Sequence, residues 1–506
     1  MSSDHLTPPL RRWWTLAVLL LIQLTLLFNA MVITLSSPTV TSDLGFPVSR
    51  VQWLVTAFAL SFGSLMLLGG RLGDIWGRRT SLYVGLGGFA VASALAGSAH
   101  DFSLLIVAVV LQGIFSALLA PATLATIFSM FSNQSDRAKA FAAYGIIAGS
   151  GTAFALFVGG ALLEWTSWRW CFYVVAVLAA LSIAGVADFV SDERSEVNRR
   201  VDHRGVLLAS GGLFFVIGGL AHAVTSLFPL FASLGWSIHT TSRWLNFFTW
   251  GPLIIGLGLF VLAALVRERS KNPMFPIHTL KCRPLVGSLV ALVIAGVATV
   301  PVVLLLANYL EENLSNSPVH VGFDFLPLVL TVVLSATFAS ARLLSVSGPR
   351  PLVPTGMILC TMGMVLFTRL TPFFDYWGHI FPGLILIGLG LGLILAPAFA
   401  SATAALAKAD AGVSAALITT TSWLGSVVGF AVLTTVAARV SLRTFDHSTS
   451  DLITAQKYAT VHGLSVVFWW TAILFGVGAV STFFLLASPA PADPAPASTT
   501  QISGQG

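Results

Sequence analysis

The sequence predicts an all-α polytopic membrane protein, and two observations carry that reading. Only 9% of the 506 residues are charged and 56% are hydrophobic, whereas soluble domains average roughly 25% charged residues. That little charge cannot clothe soluble domains. The second observation is the grouping of the apolar residues into runs of about 20 or more, the length a helix needs to cross the hydrocarbon core. A mean hydropathy of +0.89 agrees, as do the 45 glycines, since glycine is commoner in membrane helices than in soluble ones. The same composition excludes a disordered chain and a disulfide-stapled secreted domain.

Fourteen such runs can be read along the chain, at 14–38, 51–72, 80–99, 103–129, 140–163, 168–190, 204–226, 248–266, 284–309, 319–343, 350–369, 378–405, 412–438 and 463–487. The first follows Arg11 and Arg12, as a secretion signal would. It is too long for one, lacks a small-residue cleavage site and precedes thirteen further runs, so it is expected to stay as a helix. Lysine and arginine set the orientation. With the N-terminus inside, 19 of the 26 basic residues fall in cytoplasmic segments, among them Arg71, Arg78, Arg79, Arg137 and Lys139. The seven outside are Arg50, Arg169, Arg243, Arg369, Arg439, Arg443 and Lys457. This bias places both termini in the cytoplasm; the plasma membrane is the expected location.

Several function classes fall away. The net charge of +6 sits in short loops between apolar runs, which is a topology signal rather than a phosphate-binding face. Nucleic acid is therefore not an expected partner, while membrane lipids are. Cys171, Cys282 and Cys360 lie far apart, so they form neither a metal-ligand spacing nor a disulfide framework. The ten histidines contain no HExxH, and there is no Walker phosphate loop. No enzyme, metal or cofactor is expected.

The segment GRLGDIWGRRTSL, from Gly70 to Leu82, joins the second and third runs. Gly70, Gly73 and Gly77 allow close helix packing and a sharp turn. Asp74 can cap a helix or pair with an arginine. Arg78 and Arg79 offer bidentate partners to a carboxylate. Such a cluster is suited to latching two helix bundles at one membrane face. The segment resembles the signature loop of the major facilitator superfamily, G-x-L-x-D-x-x-G-R-[RK]-x-x-L, at all seven specified positions. SWRWCF from Ser167 resembles the element before the sixth helix of these proteins. YLEENLSNSPVHVGFDFLP from Tyr309 and RERSKNPMFPIHTL from Arg267 are similar to the segments after and before the ninth helix.

With fourteen helices, the whole resembles the drug:proton antiporter branch, drug-resistance exporters of the major facilitator superfamily. That resemblance implies a major facilitator fold of two six-helix bundles plus two linker helices. The domains would be a cytoplasmic N-terminus at 1–13, a bundle at 14–190, a linker with two extra transmembrane helices at 191–283, a second bundle at 284–487 and a disordered cytoplasmic tail at 488–506. The second half should repeat the first, with the substrate site near the midplane between them. SVSGPRPL echoes the signature faintly, Gly348 standing at the place of Gly77, Arg350 at that of Arg79 and Ser345 at that of Asp74.

The chain departs from the branch at coupling positions. The usual first-helix acid is Asn29, the fourth-helix arginine is Val109, and the fifth-helix GP pair is Ala155-Leu156. Asn29 cannot titrate, though it can hydrogen-bond a ligand. Almost all the acids lie in loops or at helix ends, Glu164 and Asp188 among them, and the exception is Asp324, a few residues into the run at 319–343. It either caps the start of its helix after Pro318 or serves as a coupling or substrate carboxylate. Gln23, Asn29, Gln112, Tyr144 and Asn308 are candidate cavity-lining groups, each also suited to a helix-helix hydrogen bond. The Gly388, Gly390, Gly392 row and the Gly425, Gly429 pair read as close-packing sites.

The expected function is export of lipophilic or amphipathic small molecules by alternating access, in the manner of drug or antibiotic efflux, with protons as the countersubstrate. An uncoupled facilitator or lipid carrier, and a transport-silent membrane sensor, are the alternatives that the altered coupling positions leave open.

Overall fold

A bilayer core supplies no water to backbone amides, so a spanning segment must satisfy its own N–H and C=O groups. Every regular element among the described residues is accordingly helical. The computed structural model describes residues 9–46, 48–131, 133–190, 203–225, 247–268, 282–314, 317–338, 343, 348–371, 376–404, 411–446 and 452–486. The tail at 488–506 and the charged loop at 191–202 lie outside them.

The first half comprises α1 (Pro9–Leu35), the short α2 (Ser37–Leu44), α3 (Val48–Trp76), α4 (Arg78–Gly97), α5 (Phe102–Met130), α6 (Gln134–Trp165) and α7 (Trp168–Phe189). Two helices follow, α8 (His203–Thr225) and α9 (Phe247–Glu268). The second half comprises α10 (Arg283–Leu314), α11 (Pro318–Asp324), α12 (Leu326–Phe338), α13 (Pro349–Phe367), α14 (Phe381–Ala404), α15 (Ala411–Asp446) and α16 (Leu452–Leu485). A π-helical turn at Tyr376–Ile380 leads into α14.

Twelve described helical stretches are long and apolar enough to cross a membrane. α8 and α9 have 23 and 22 residues, about 33 Å at 1.5 Å per residue. Their described apolar stretches, Leu207–Ala221 and Trp250–Ala263, are shorter than a full span. The two helices pair as a hairpin through glycines, a Cβ on Gly256 falling 2.8 Å from the Gly212 carbonyl.

Three segments differ from the sequence expectation. Within the run at 319–343 the described residues form two helices, broken at Phe325. The first run ends at Leu35, and α2 follows it as a separate helix. Much of the polar stretch at 439–462 is helical, with α15 reaching Asp446 and α16 starting at Leu452. Hydropathy marks where the hydrocarbon ends, not where hydrogen bonding ends. A Cβ on Gly463 would lie 2.6 Å from the Ala437 carbonyl, so α15 and α16 stay packed into this region.

Packing follows a repeat. Within the first half, α3 packs on α5, α4 on α5 and α7, and α1 on α6 and α7; in the second, α10 packs on α15, α13 on α14 and α16, and α12 on α14. Across the halves, α6 packs on α11, α12 and α14, while α15 packs on α3 and α5. α6 and α15 are each the fifth spanning element of their half. Each therefore meets the second and fourth elements of the other half, as a pseudo-twofold requires. The glycines serve this packing. Gly388 and Gly392 face Thr331 and Ser335 of α12, Gly390 faces Cys360 of α13, and Gly425 and Gly429 let α15 approach the backbone of α10 at Val293 and Val297.

Two glycines begin equivalent helices in the two halves. Gly77 precedes α4 with φ 86° and ψ 151°, and Gly348 precedes α13 with φ 68° and ψ −177°. This backbone region belongs almost exclusively to glycine. Gly77→Ala and Gly348→Ala should each lose about 1–3 kcal/mol in thermal unfolding in detergent. Gly87→Ala and Gly476→Ala, in helices with open space around the added methyl, should lose nothing and gain up to about 1 kcal/mol. Equal melting of the two sets would contradict the repeat.

Candidate functional site

At the end of the molecule that carries the signature loop, α7 runs out at Phe189. The last carbonyls of a helix have no partner within it and carry a partial negative charge. Three donors meet them. Arg79 Nη2 donates to the Ala187 carbonyl at 3.0 Å, Arg11 Nη2 to Asp188 at 3.0 Å and Thr15 Oγ1 to Phe189 at 2.9 Å. Arg79 also lies over the Tyr83 ring at 5.7 Å. This arginine thus ties the loop to its own half. Gly70 and Gly73 are buried on α3, and Asp74 and Arg78 are partly exposed. In the second half, Arg350 lies over Phe483 of α16 at 5.7 Å. The repeat thus keeps an arginine reaching from the third element to the sixth, with an aromatic face in place of carbonyls.

The seam made by α6 is closed along its length. Near the signature end, Ala142, Ala336 and Ala396 form a small buried cluster. Next to it, Tyr144 meets Phe399 edge-on at 4.9 Å. A Cβ on Gly145 would sit 2.9 Å from the Ala396 nitrogen, and one on Gly149 3.0 Å from Leu395. Toward the opposite end, Phe157 takes Phe323 edge-on at 4.9 Å, and a Cβ on Gly322 would meet the Phe157 backbone. The other seam carries Phe62 of α3 against Trp423 of α15, edge-on at 4.6 Å.

The candidate cavity residues do not form one hydrogen-bonded set. Gln112 Nε2 donates to Ser93 Oγ at 2.9 Å, a bond between α5 and α4 inside the first half. Tyr144 lies in the α6 seam. Asn308 is exposed on α10. Gln23 and Asn29 are buried in α1, at 6% and 0% exposure. Asn29 has no hydrogen-bond partner on either amide atom, and Gln23 none on its oxygen. A buried amide without a partner costs about 1–3 kcal/mol, so Asn29 is held at a thermodynamic loss. Val109, Ala155 and Leu156 are buried in apolar packing.

Asp324 is the last residue of α11 and is half-buried. Its backbone carbonyl accepts from the Tyr376 phenol at 2.8 Å. Nearby in the chain, the Tyr309 phenol donates to the Thr371 carbonyl at 2.8 Å. Two tyrosines thus pin the loops of the second half at the end opposite the signature loop.

That end of the first half has its own tie, which the sequence reading missed. Asp43 of α2 accepts from Trp168 Nε1 at 3.0 Å and pairs with Arg169. The Arg169 and Trp168 hydrogen bonds hold its carboxyl below the usual carboxylate range. Arg169 also lies over the Trp168 ring at 4.4 Å. The SWRW segment flags the basic and aromatic partners, but no periodicity singles out Asp43.

The sequence profile described as Major Facilitator Superfamily matches residues 19–304. The chain is 37% identical over 483 residues to the puromycin resistance protein pur8 of Streptomyces alboniger, covering 95% of this chain and 91% of that one. It is 30% identical to the probable actinorhodin transporter of Streptomyces coelicolor over 85% of this chain and 73% of that one. The fold is similar to that of the human organic anion transporter MFSD10, with a TM-score of 0.60, 16% identity, and coverage of 93% of this chain and 100% of that one. At that identity the likeness speaks to the fold alone.

Replacing Asn29 separates fold from function. Asn29→Leu should raise the apparent melting temperature in detergent, because it removes a buried amide costing about 1–3 kcal/mol. It should also lower transport. A variant that melts several degrees lower would mean that the amide is satisfied and structural.

Proposed function

The chain belongs to the major facilitator superfamily, and from that membership we propose that it exports lipophilic or amphipathic small molecules by alternating access, driven by proton antiport. The family is one of transporters, and the chain is a multi-pass membrane protein. The observation that carries the export reading is the pair of pseudo-twofold seams. Each is built from apolar and aromatic side chains and small residues, and can part and re-form without stranding a backbone hydrogen bond. Puromycin-like and actinorhodin-like molecules are the substrate class that the relatives suggest.

In this reading all fourteen helical runs cross the plasma membrane, both termini are cytoplasmic, and α8 and α9 form the inserted pair of the linker. The halves are the bundles at 14–190 and 284–487. The loop of Gly70, Gly73, Asp74, Gly77, Arg78 and Arg79 acts as the conformational latch at the cytoplasmic face. Asp324 is the coupling carboxylate. It is a half-buried acid beside the α6 seam, where opening and closing change its surroundings and hence its proton affinity. Asn29 and Gln23 offer hydrogen bonds to substrate from α1, and Tyr144, Gln112 and Asn308 complete the set of polar candidates. One observation favours a second reading, an uncoupled facilitator: the first-helix acid is a non-titrating amide here.

The test uses purified protein in liposomes with a pH-sensitive dye inside. A pH gradient is imposed, and puromycin and a panel of lipophilic cations are added. The antiport reading predicts substrate-dependent proton movement that Asp324→Asn reduces to the level of empty liposomes. Substrate flux without proton movement would replace it with the facilitator.

A further inference from the structure

α8 packs on both α3 and α15, so the inserted hairpin straddles the line where the two halves meet. When the halves part, an element in that place must stay with one of them and slip on the other. Packed interfaces hold discrete arrangements rather than deforming smoothly, so the closer fit decides which.

The fit to α3 is reciprocal. Gly63 of α3 is a socket for Ile217 of α8, whose Cδ1 lies 2.5 Å from where a Cβ would be. One residue further along α8, Gly218 receives Leu60 of α3, whose Cδ1 lies 3.7 Å from the Cβ position. Each helix thus lays a long side chain against the other's backbone, the close approach that small residues permit between membrane helices. Sliding α8 along α3 would lift both side chains out of their sockets and onto neighbours that have a Cβ. The hairpin is closed on itself in the same way. A Cβ on Gly212 of α8 would stand 3.1 Å from the Gly256 carbonyl of α9, and one on Gly256 would stand 2.8 Å from the Gly212 carbonyl. α9 therefore goes where α8 goes.

The fit to α15 has no such key. Ala416 of α15 joins the buried cluster of Leu67, Ala209, Leu213 and Ile217, and Leu424 and Val427 pack against it. Gly425 and Gly429 of α15 open toward Val293 and Val297 of α10 instead. Contacts between apolar ridges of this kind are non-directional and individually small, so one register exchanges for the next with little loss.

We infer that the hairpin is a shutter carried by the first half. α8 is keyed to α3, α15 slides beneath it, and the α3–α15 seam stays covered on the hairpin's side as the halves rock. Leu207 and Phe214 of α8 and Ile254 and Leu257 of α9 are exposed, so the shutter turns an apolar outer face to the lipid. The inference rests on the alternating-access reading, and its test reports the two separately.

Nitroxides on Val84→Cys of α4, Leu207→Cys of α8 and Val480→Cys of α16, all exposed positions toward the signature end, would be paired two at a time in nanodiscs, in a chain lacking Cys282. Double electron–electron resonance would read each distance in two wedged backgrounds. Gly145→Trp props the α6 seam open near the signature end, and Gly322→Trp props it open toward the other. Leucine at either site is the smaller wedge should the tryptophan not fold. The Val84–Val480 distance, which reports the halves, should be longer with the Gly145 wedge than with the Gly322 wedge. Leu207–Val480 should shift with it, while Val84–Leu207 stays the same in both. Any change in Val84–Leu207 alongside the shift between the halves would overturn the shutter, and so would a Leu207–Val480 distance that stays fixed while the halves shift. A Val84–Val480 distance equal in the two backgrounds would instead overturn the rocking, and the shutter with it.

Discussion

Helices in a bilayer gain little from hiding apolar surface from one another, because lipid tails are as apolar as leucine. What remains is fit, and the α6 seam is the place where the molecule depends on it most. There Gly145 and Gly149 bring α6 against Ala396 and Leu395, while Gly322 brings α11 against Phe157. The contacts described across it are between small, apolar and aromatic side chains. An interface of this kind is held by contact distance, so it is strong when closed and costs no buried charge when it opens. The fold of each half, by contrast, is fastened at its ends by directional bonds. Arg79, Arg11 and Thr15 cap α7 at the signature end, and Asp43 with Arg169 ties α2 to α7 at the other. Rigid halves joined by non-directional seams are what a rocking transporter requires.

The repeat explains why two weakly similar segments share a backbone. Gly77 and Gly348 adopt nearly the same glycine-only conformation ahead of equivalent helices. Around them the chemistry has diverged: Arg79 meets carbonyls, and Arg350 meets an aromatic ring. Geometry is retained where the chain must turn and an arginine is kept in both halves, while the acid Asp74 of the first half is replaced by Ser345 in the second. The α8 helix breaks the symmetry further by packing on both α3 and α15.

Much of this was legible in the residues. Run length and the signature loop point to the architecture, since hydropathy reports the solvent and the loop needs glycine for its backbone. The glycine rows on α14 and α15 read as packing sites and are packing sites. Other features left no periodic trace. Whether Gln112 turns toward a cavity or toward Ser93 depends on how α4 and α5 are rotated against each other. The helix break at Phe325 lies inside an apolar run, where hydropathy is blind. Thr419, Thr420 and Thr421 look alike in sequence, yet Thr419 and Thr421 back-bond within α15 while the buried Thr420 hydroxyl has no partner. Asp43 finds Arg169 across 126 positions of chain.

The central claim is that the α6 seam opens and closes at alternate ends while each half moves as a body. Its most direct measurement is reversible locking of that seam. Cysteines at Ala142 and Ala396 would be joined near the signature end, and cysteines at Phe157 and Phe323 at the opposite end, in a chain lacking Cys282. Substrate flux would be followed in proteoliposomes before joining, after joining and after reduction. The account predicts that either lock alone stops flux and that reduction restores it. Undiminished flux with one end locked would contradict it, because the halves would then be transporting without rocking about this seam.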